Sequence, residues 1–182
     1  MGNRFMNVCI QPFQTPYGDL ILGDYNNQLC LCDWKHRGMR QTIDNRIREG
    51  LNADFEEKKT DLIGETMDQL NDYLLRRRTA FSIPLLLVGT SFQKSTWNEL
   101  MKIPYGKTES YLGLSKKLNN PQAVRAVAAA NGANAISIII PCHRIVGNNK
   151  ELVGYAGGID VKQKLLRLEN PVQFAEQLKL FG

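Results

Sequence analysis

The sequence predicts a mixed α/β (α+β) protein in two parts. A small antiparallel sheet with a helix comes first, and a helical part with a helix-turn-helix and one buried strand follows. Three observations predict this. Short apolar segments bounded by turn signals fill residues 8–34, helical spacing interrupted by breakers dominates from residue 60 onward, and the halves differ in charge. Residues 1–89 carry 11 Lys+Arg against 12 Asp+Glu, whereas residues 90–182 carry 12 against 6. A basic half beside a neutral one points to a polyanion met by the second half alone, and nucleic acid is the usual one. A plain solvated basic face is the alternative.

In the first half, Val8–Phe13 is apolar, Thr15-Pro16-Tyr17-Gly18 signals a turn, and Leu20–Leu22 begins a second strand. Asp24–Gln28 supplies another turn before Leu29–Trp34. Residues 35–59 are charged and patternless, which fits a loop or a weak helix. Leu62, Ile63, Thr66, Met67, Leu70, Tyr73 and Leu74 then recur at helical spacing behind a Thr60/Asp61 cap. Ala80–Val88 reads as extended and ends at Gly89, where the domain boundary is placed, dividing 1–89 from 90–182.

The second half opens with a helix from about Ser91 to Lys102, broken at Pro104-Tyr105-Gly106. Thr108 is positioned to cap a short helix running to Leu118. Pro121 suits the first turn of another helix, Gln122–Asn131, stopped by Gly132. Two short helices across a tight turn make a helix-turn-helix candidate. Ala123, Ala126, Ala128, Ala129 and Ala130 leave the second helix nearly bare, with Arg125 as its only charge. Such a helix suits close approach to a narrow groove with the arginine inserted, or it is simply a close-packed alanine helix.

Several classes are excluded or disfavoured. No apolar run is long enough to span a bilayer, and the N-terminus lacks the apolar stretch of a secretory signal, so a cytoplasmic protein is expected. Cys9, Cys30, Cys32 and Cys142 read as thiols in a reducing compartment. A metal site is not expected: Cys30 and Cys32 alternate along a strand, and His36 and His143 are the only histidines.

The chemistry concentrates after the β-branched run Ile136–Ile140, which reads as a buried strand ending at Pro141-Cys142-His143-Arg144. A cysteine at such a place is usually inert packing. Here a histidine and an arginine follow it, and such neighbours lower a thiol pKa and raise its thiolate fraction. Gly154-Tyr155-Ala156-Gly157-Gly158 forms a glycine-rich loop without the Gly-Lys-Ser/Thr ending of a phosphate cradle. Glu169 ends the last helix, about Asp160–Glu169, where its charge opposes the macrodipole. Either it lies on an exposed surface, or a cationic or proton-donating partner faces it. In the second case a Cys142–His143–Glu169 relay follows, with His143 drawing the thiol proton through water. A cysteine protease is disfavoured, because adjacent residues in an extended chain point apart and His36 lies in the other half.

The run Ile-Pro-Cys-His-Arg-Ile-Val-Gly at 140–147 resembles the active-site signature of the O6-alkylguanine-DNA alkyltransferases, the methylated-DNA–protein-cysteine methyltransferases. The resemblance extends over 89–169 through Phe92-Gln93, Trp97, Ile103-Pro104-Tyr105-Gly106, Ser110-Tyr111, Arg125-Ala126-Val127, Gly154–Gly158 and Lys162. It implies a ribonuclease-H-like first domain. It also implies direct-reversal repair, in which a base flips out of double-stranded DNA and its alkyl group passes once and irreversibly to Cys142, with no cofactor. By the same resemblance Arg125 fills the gap in the duplex, and Tyr111 rotates the phosphate and donates a proton toward the base. Asn134 holds the turn before the active-site strand, Asn120 and Asn148 lie near the DNA backbone, and Tyr155, Ala156, Gly157 and Lys162 belong to the base pocket. The protein is then DNA-associated and a monomer in solution, with cooperative assembly on DNA and acceptance of O4-methylthymine left open. Two departures stand out: Ala135 replaces the family's proline, which predicts a looser turn, and Ser115 replaces a small apolar residue.

Overall fold

A computed structural model describes residues 6–173. Its first half is a sheet with strand order β3-β2-β1-β4. β1 (Val8–Thr15), β2 (Gly18–Tyr25) and β3 (Gln28–Trp34) form an antiparallel meander, as their turn signals predict. β4 (Phe55–Glu57) departs from the expected all-antiparallel sheet by adding parallel to β1. The crossover that a parallel neighbour requires is α1 (Arg40–Leu51), inside the stretch that carries no clear pattern. Only Ile43 and Ile47 of α1 are buried, a stripe too narrow to stand out among its charges.

α2 (Asp61–Leu74) begins where its cap predicts, with the Thr60 side chain accepting from the Ile63 N–H at 3.2 Å. Residues 80–90 then run extended, and Leu29 bonds to both Pro84 and Leu86. α3 (Ser91–Leu100) has a full capping box, Thr90 with Gln93. It ends two residues before the expected Lys102.

The helix pair is present with shifted bounds. Ser110, not Thr108, caps α4 (Tyr111–Lys117), since the short β5 (Glu109–Ser110) occupies the positions before it. α5 spans Val124–Gly132. Gly132 lies inside that helix at negative φ and Ala133 follows in right-handed geometry, so the expected glycine stop is corrected. α6 (Ile159–Glu169) matches its expected span to within a residue.

The clearest correction concerns Ile136–Ile140. These residues make isolated bridges, Cys32 to Ile136 and Ser137 to Ile140, and form no strand. The chain doubles back instead. Ile139 N–H reaches Ser137 O at 2.9 Å around Ile138, whose φ is +71°, a tight turn that a β-branched residue rarely adopts. Cys142 N–H then bonds Ile140 O at 2.8 Å, a second three-residue turn around Pro141. One turn of 3-10 helix, Cys142–Arg144, follows and leads into β6 (Ile145–Val146), which pairs parallel with β5. Burial explains the apolar run: Ile136, Ile138 and Ile140 are all at most 2% exposed and join the core cluster that links the two halves.

Candidate active site

Cys142 is 3% exposed, and its side chain lines a cavity of about 310 Å³. Tyr111 of α4, Ala128, Asn131 and Gly132 of α5, and Gly154, Tyr155 and Ala156 of the glycine-rich loop share that lining. Arg37, Gly38 and Met39 close it from the first half, and Met39, 46% exposed, marks its mouth. The thiol is therefore buried yet faces a space bounded by the helix pair, of a size that suits one small planar group.

Asn134, 1% exposed, holds the sulfur. Its Nδ2 donates to Cys142 Sγ at 3.2 Å and to Ile140 O at 3.0 Å, while its Oδ1 accepts from Ile136 N–H at 2.9 Å. That last bond bridges Ala135 as an Asx turn does, so the turn is not loosened by the missing proline. Three carbonyls at the end of α5 are also capped from the first half. Arg37 donates to Gly132 O and, at 3.0 Å, to Asn134 O, and Arg46 reaches Ala133 O at 2.8 Å. Asp33, fully buried, anchors Arg37 at 2.9 Å and Arg40 at 3.0 Å, and accepts from Ser137 Oγ at 3.1 Å.

Glu169 is buried, which excludes the surface alternative. His143 Nε2 lies 2.8 Å from its Oε1, Arg144 donates Nη2 to Oε1 at 2.9 Å and Nε to Oε2 at 3.0 Å, and the Gly106 N–H reaches Oε2 at 2.9 Å. Burial alone would raise this carboxyl. His143 and Arg144 outweigh it and hold the group well below the usual carboxylate range. An ionised carboxylate only accepts, so Nε2 of His143 carries the hydrogen and Nδ1 is bare. That Nδ1 is buried and has no hydrogen-bond partner among the described residues. Burial pushes His143 below its ordinary value, and the Glu169 bond only partly opposes it.

The expected lowering of the Cys142 pKa is corrected. Burial raises the thiol, and Asn134, Lys162 and Arg37 only partly oppose it, while Arg144 is committed to Glu169 and, at 2.5 Å, to Ile103 O. At rest the sulfur is protonated. A protonated thiol is a weak nucleophile, so attack from this sulfur calls for a base.

Lys162 is fully buried behind the loop rather than in the cavity wall: its Nζ bonds Val153 O at 2.7 Å and Gly154 O at 3.3 Å. Burial brings its pKa down to about 8, opposed by Cys142. Gly157 also lies outside the wall. It packs on Trp34, where a Cβ would sit 2.7 Å from the ring, and Trp34 Nε1 donates to Tyr155 Oη at 3.1 Å. Arg125, Asn120 and Asn148 are exposed, Arg125 on α5, Asn120 between α4 and α5, and Asn148 in the turn after β6. Val127 and Ala130 of α5 pack inward while Ala126 and Ala129 face solvent, so alanine serves close packing and also leaves a bare outer face.

Residues 91–171 match the family described as 6-O-methylguanine DNA methyltransferase, DNA binding domain. A methylated-DNA–protein-cysteine methyltransferase of Methanosarcina acetivorans is 49% identical over 158 residues, which is 86% of this chain and 95% of that protein. The chain belongs to the methylated-DNA–protein-cysteine methyltransferase family. The constitutive family member of Bacillus subtilis is 36% identical over 86% of this chain and 92% of its own. A Mycobacterium tuberculosis structure described as OGT in complex with DNA superposes with a TM-score of 0.77 at 35% identity, covering 90% of this chain and 94% of that one. Direct reversal of damage by alkyl transfer to a cysteine is the family's activity.

Cys142, Tyr111, Tyr155 and Ala156 thus line one cavity, Asn134 backs the sulfur from outside that lining, and His143, next to Cys142 in the chain, pairs with Glu169. Sequence reasoning missed Asp33, Arg37 and Tyr73 of the first half. An aspartate within a strand, an arginine in a patternless stretch and a tyrosine on an apolar helix face carry no local sign of these partners.

Proposed function

We propose that the protein moves a methyl or larger alkyl group from O6 of guanine in double-stranded DNA to Sγ of Cys142. The observation that carries this reading is a single buried sulfur, tethered by Asn134, facing a base-sized cavity between the helix pair and the glycine-rich loop. A base inside a duplex cannot reach such a sulfur without leaving the stack. The bare outer face of α5 fits a narrow groove, and Arg125 fills the gap left by the extruded nucleotide. Asn120 and Asn148, exposed near the helix pair and after β6, meet the DNA backbone. Tyr155 and Ala156 wall the base, Gly157 lets their loop lie on Trp34, and Lys162 pins the loop from behind.

The thiol proton passes to Nδ1 of His143 with a water molecule as carrier, and Glu169 stabilises the imidazolium that forms. The thiolate displaces the alkyl carbon: the S–C bond forms, the C–O6 bond breaks, and its electron pair returns to the guanine. Tyr111 donates a proton to the ring and recovers one from solvent, to which the His143 imidazolium gives up the thiol proton, so the proton lost by sulfur is balanced by the one gained by the base. Burial keeps the Tyr111 phenol above its ordinary value, reinforced by Cys142, so it is held as a donor. The thioether has no hydrolytic exit, and each molecule acts once. DNA is itself the alkyl donor, so no cofactor enters the balance. Residues 1–89 and 90–182 act as two domains, and the protein works as a monomer. Its four free cysteines suit a reducing, cytoplasmic setting.

Incubation with duplex DNA carrying O6-methylguanine tests the reading. Intact mass is expected to rise by one methyl group, mapped to the Cys142 peptide, with no further turnover. Methylation that persists in Cys142→Ala, or many turnovers per molecule, refutes it.

A further inference from the structure

Tyr73 stands at the relay without a part in the chemistry above. It comes from α2, in the first half of the chain, and is fully buried. Its hydroxyl donates to Glu169 Oε1 at 2.6 Å and lies 3.4 Å from His143 Nε2. The same Oε1 faces His143 Nε2 at 2.8 Å. Phe81 packs on the Tyr73 ring at 5.3 Å between centroids and Tyr105 meets it edge-on at 6.0 Å, which fixes where the hydroxyl points.

A phenol at this corner has two acceptors to choose from. Donation to Nε2 requires that nitrogen to be bare, which puts the imidazole hydrogen on Nδ1 and leaves no site for the thiol proton. Donation to Glu169 leaves Nε2–H bonded to the carboxylate and Nδ1 free. The shorter distance and the charge on the acceptor select the second arrangement. Burial and the charge of Glu169 raise the Tyr73 phenol well above its ordinary value, so it remains a donor.

We propose that Tyr73 is a positioning residue of the alkyl-transfer relay, its hydroxyl sharing Glu169 Oε1 with His143 Nε2 and so setting how readily Nδ1 takes the thiol proton. The proposal rests on the reading of Cys142 as the alkyl acceptor. It also gives the first half of the chain a direct share in the proton path.

Sharing one oxygen has a consequence for charge. With the hydroxyl gone, Oε1 offers more of its charge to Nε2–H, and the imidazolium is favoured. The groups facing His143 are Tyr73 from α2, Tyr155 from the glycine-rich loop, Glu169 and Lys162 from α6, and Cys142 and Arg144 beside it. Tyr105 and Gly106, from the segment after α3, face Glu169. Among the described residues, Glu169 and Tyr73 are the two whose polar atoms lie within 3.5 Å of its ring nitrogens.

Tyr73→Phe keeps the packed ring and deletes one oxygen. Single-turnover methyl transfer to Cys142, followed against pH, is expected to show the acidic limb displaced upward by about half a pH unit. The plateau is expected to fall by no more than about tenfold. A lowered plateau with an unmoved limb indicates packing alone and overturns the proposal, as does an unchanged profile. A second measurement needs no variant of Tyr73. Nitrogen-15 spectra of the wild-type protein report the tautomer of His143, assigned by difference with His36→Gln because the chain has two histidines. Hydrogen on Nε2 is expected, and hydrogen on Nδ1 overturns the proposal. Should wild-type Cys142 take no methyl group, it is the alkyl-transfer reading that fails, while the tautomer is decided without substrate.

Discussion

Asn134→Ala removes four hydrogen bonds at once, yet the backbone loses fewer partners than that number suggests. Ile136 O keeps the Ile140 N–H at 3.0 Å, and Ile140 O keeps the Cys142 N–H at 2.8 Å. The Ile136 N–H is the one group stranded in the interior. An orphaned donor of this kind costs about 1–3 kcal/mol and each lost bond to a still-paired carbonyl about 0.5–1.5 kcal/mol, so the variant loses roughly 3–5 kcal/mol in all. For a chain of this length that corresponds to a melting point lower by roughly 10 °C. The sulfur loses its donor as well. A hydrogen bond to an ionised group is worth about 1.5–3 kcal/mol, and its loss slows formation of the attacking thiolate about 10–100-fold. Rapid-quench methyl transfer from saturating O6-methylguanine duplex, below the melting point, measures the second effect separately from the first. A variant that melts lower but transfers at the wild-type rate would refute the role assigned to the amide at Sγ.

Three further outcomes are expected. Burial holds His143 below its ordinary value, so its base form persists in mild acid: the wild-type single-turnover rate should stay level down through about pH 6.5 and decline only below it, and a limb at or above that value contradicts the assignment. The same shift lowers stability as pH falls from about 6.5 toward the folded value, because the unfolded imidazole takes a proton that the folded one refuses. Arg37→Met breaks a buried ion pair and uncovers two carbonyls, costing about 3–5 kcal/mol in urea unfolding, and a change under about 1 kcal/mol would show that Arg40 alone satisfies Asp33. Arg125→Ala should slow repair of duplex DNA far more than reaction with free O6-methylguanine, and equal losses on both substrates remove its role in extrusion.

Much of the fold was legible because it is local. Thr60 and the Leu62–Leu74 spacing locate α2, and the turn signals at Thr15–Gly18 and Asp24–Gln28 delimit three strands. α1 escaped because two isoleucines carry its buried face. Ile136–Ile140 misled because β-branched residues mark burial as well as strands, and here the interior accepts a turn that their intrinsic preference opposes. At the site, the pairing of Glu169 with His143, next to Cys142, was readable from chemistry and position. The depressed thiol pKa was not borne out, since adjacency in sequence says nothing of where Arg144 points. Tyr73 and Glu169 stand 96 positions apart and Arg37 and Asn134 97, and such meetings exist only once the two halves are packed.

The arginine caps on the end of α5 bear on how this protein can be recombined. A graft that brings residues 90–182 onto a foreign first half would meet the helix end with whatever side chains the new partner offers. Without counterparts of Asp33, Arg37 and Arg46, three carbonyls near Cys142 would turn to solvent for partners. Transplants should therefore carry those three residues together, as one unit inherited with the helix they finish.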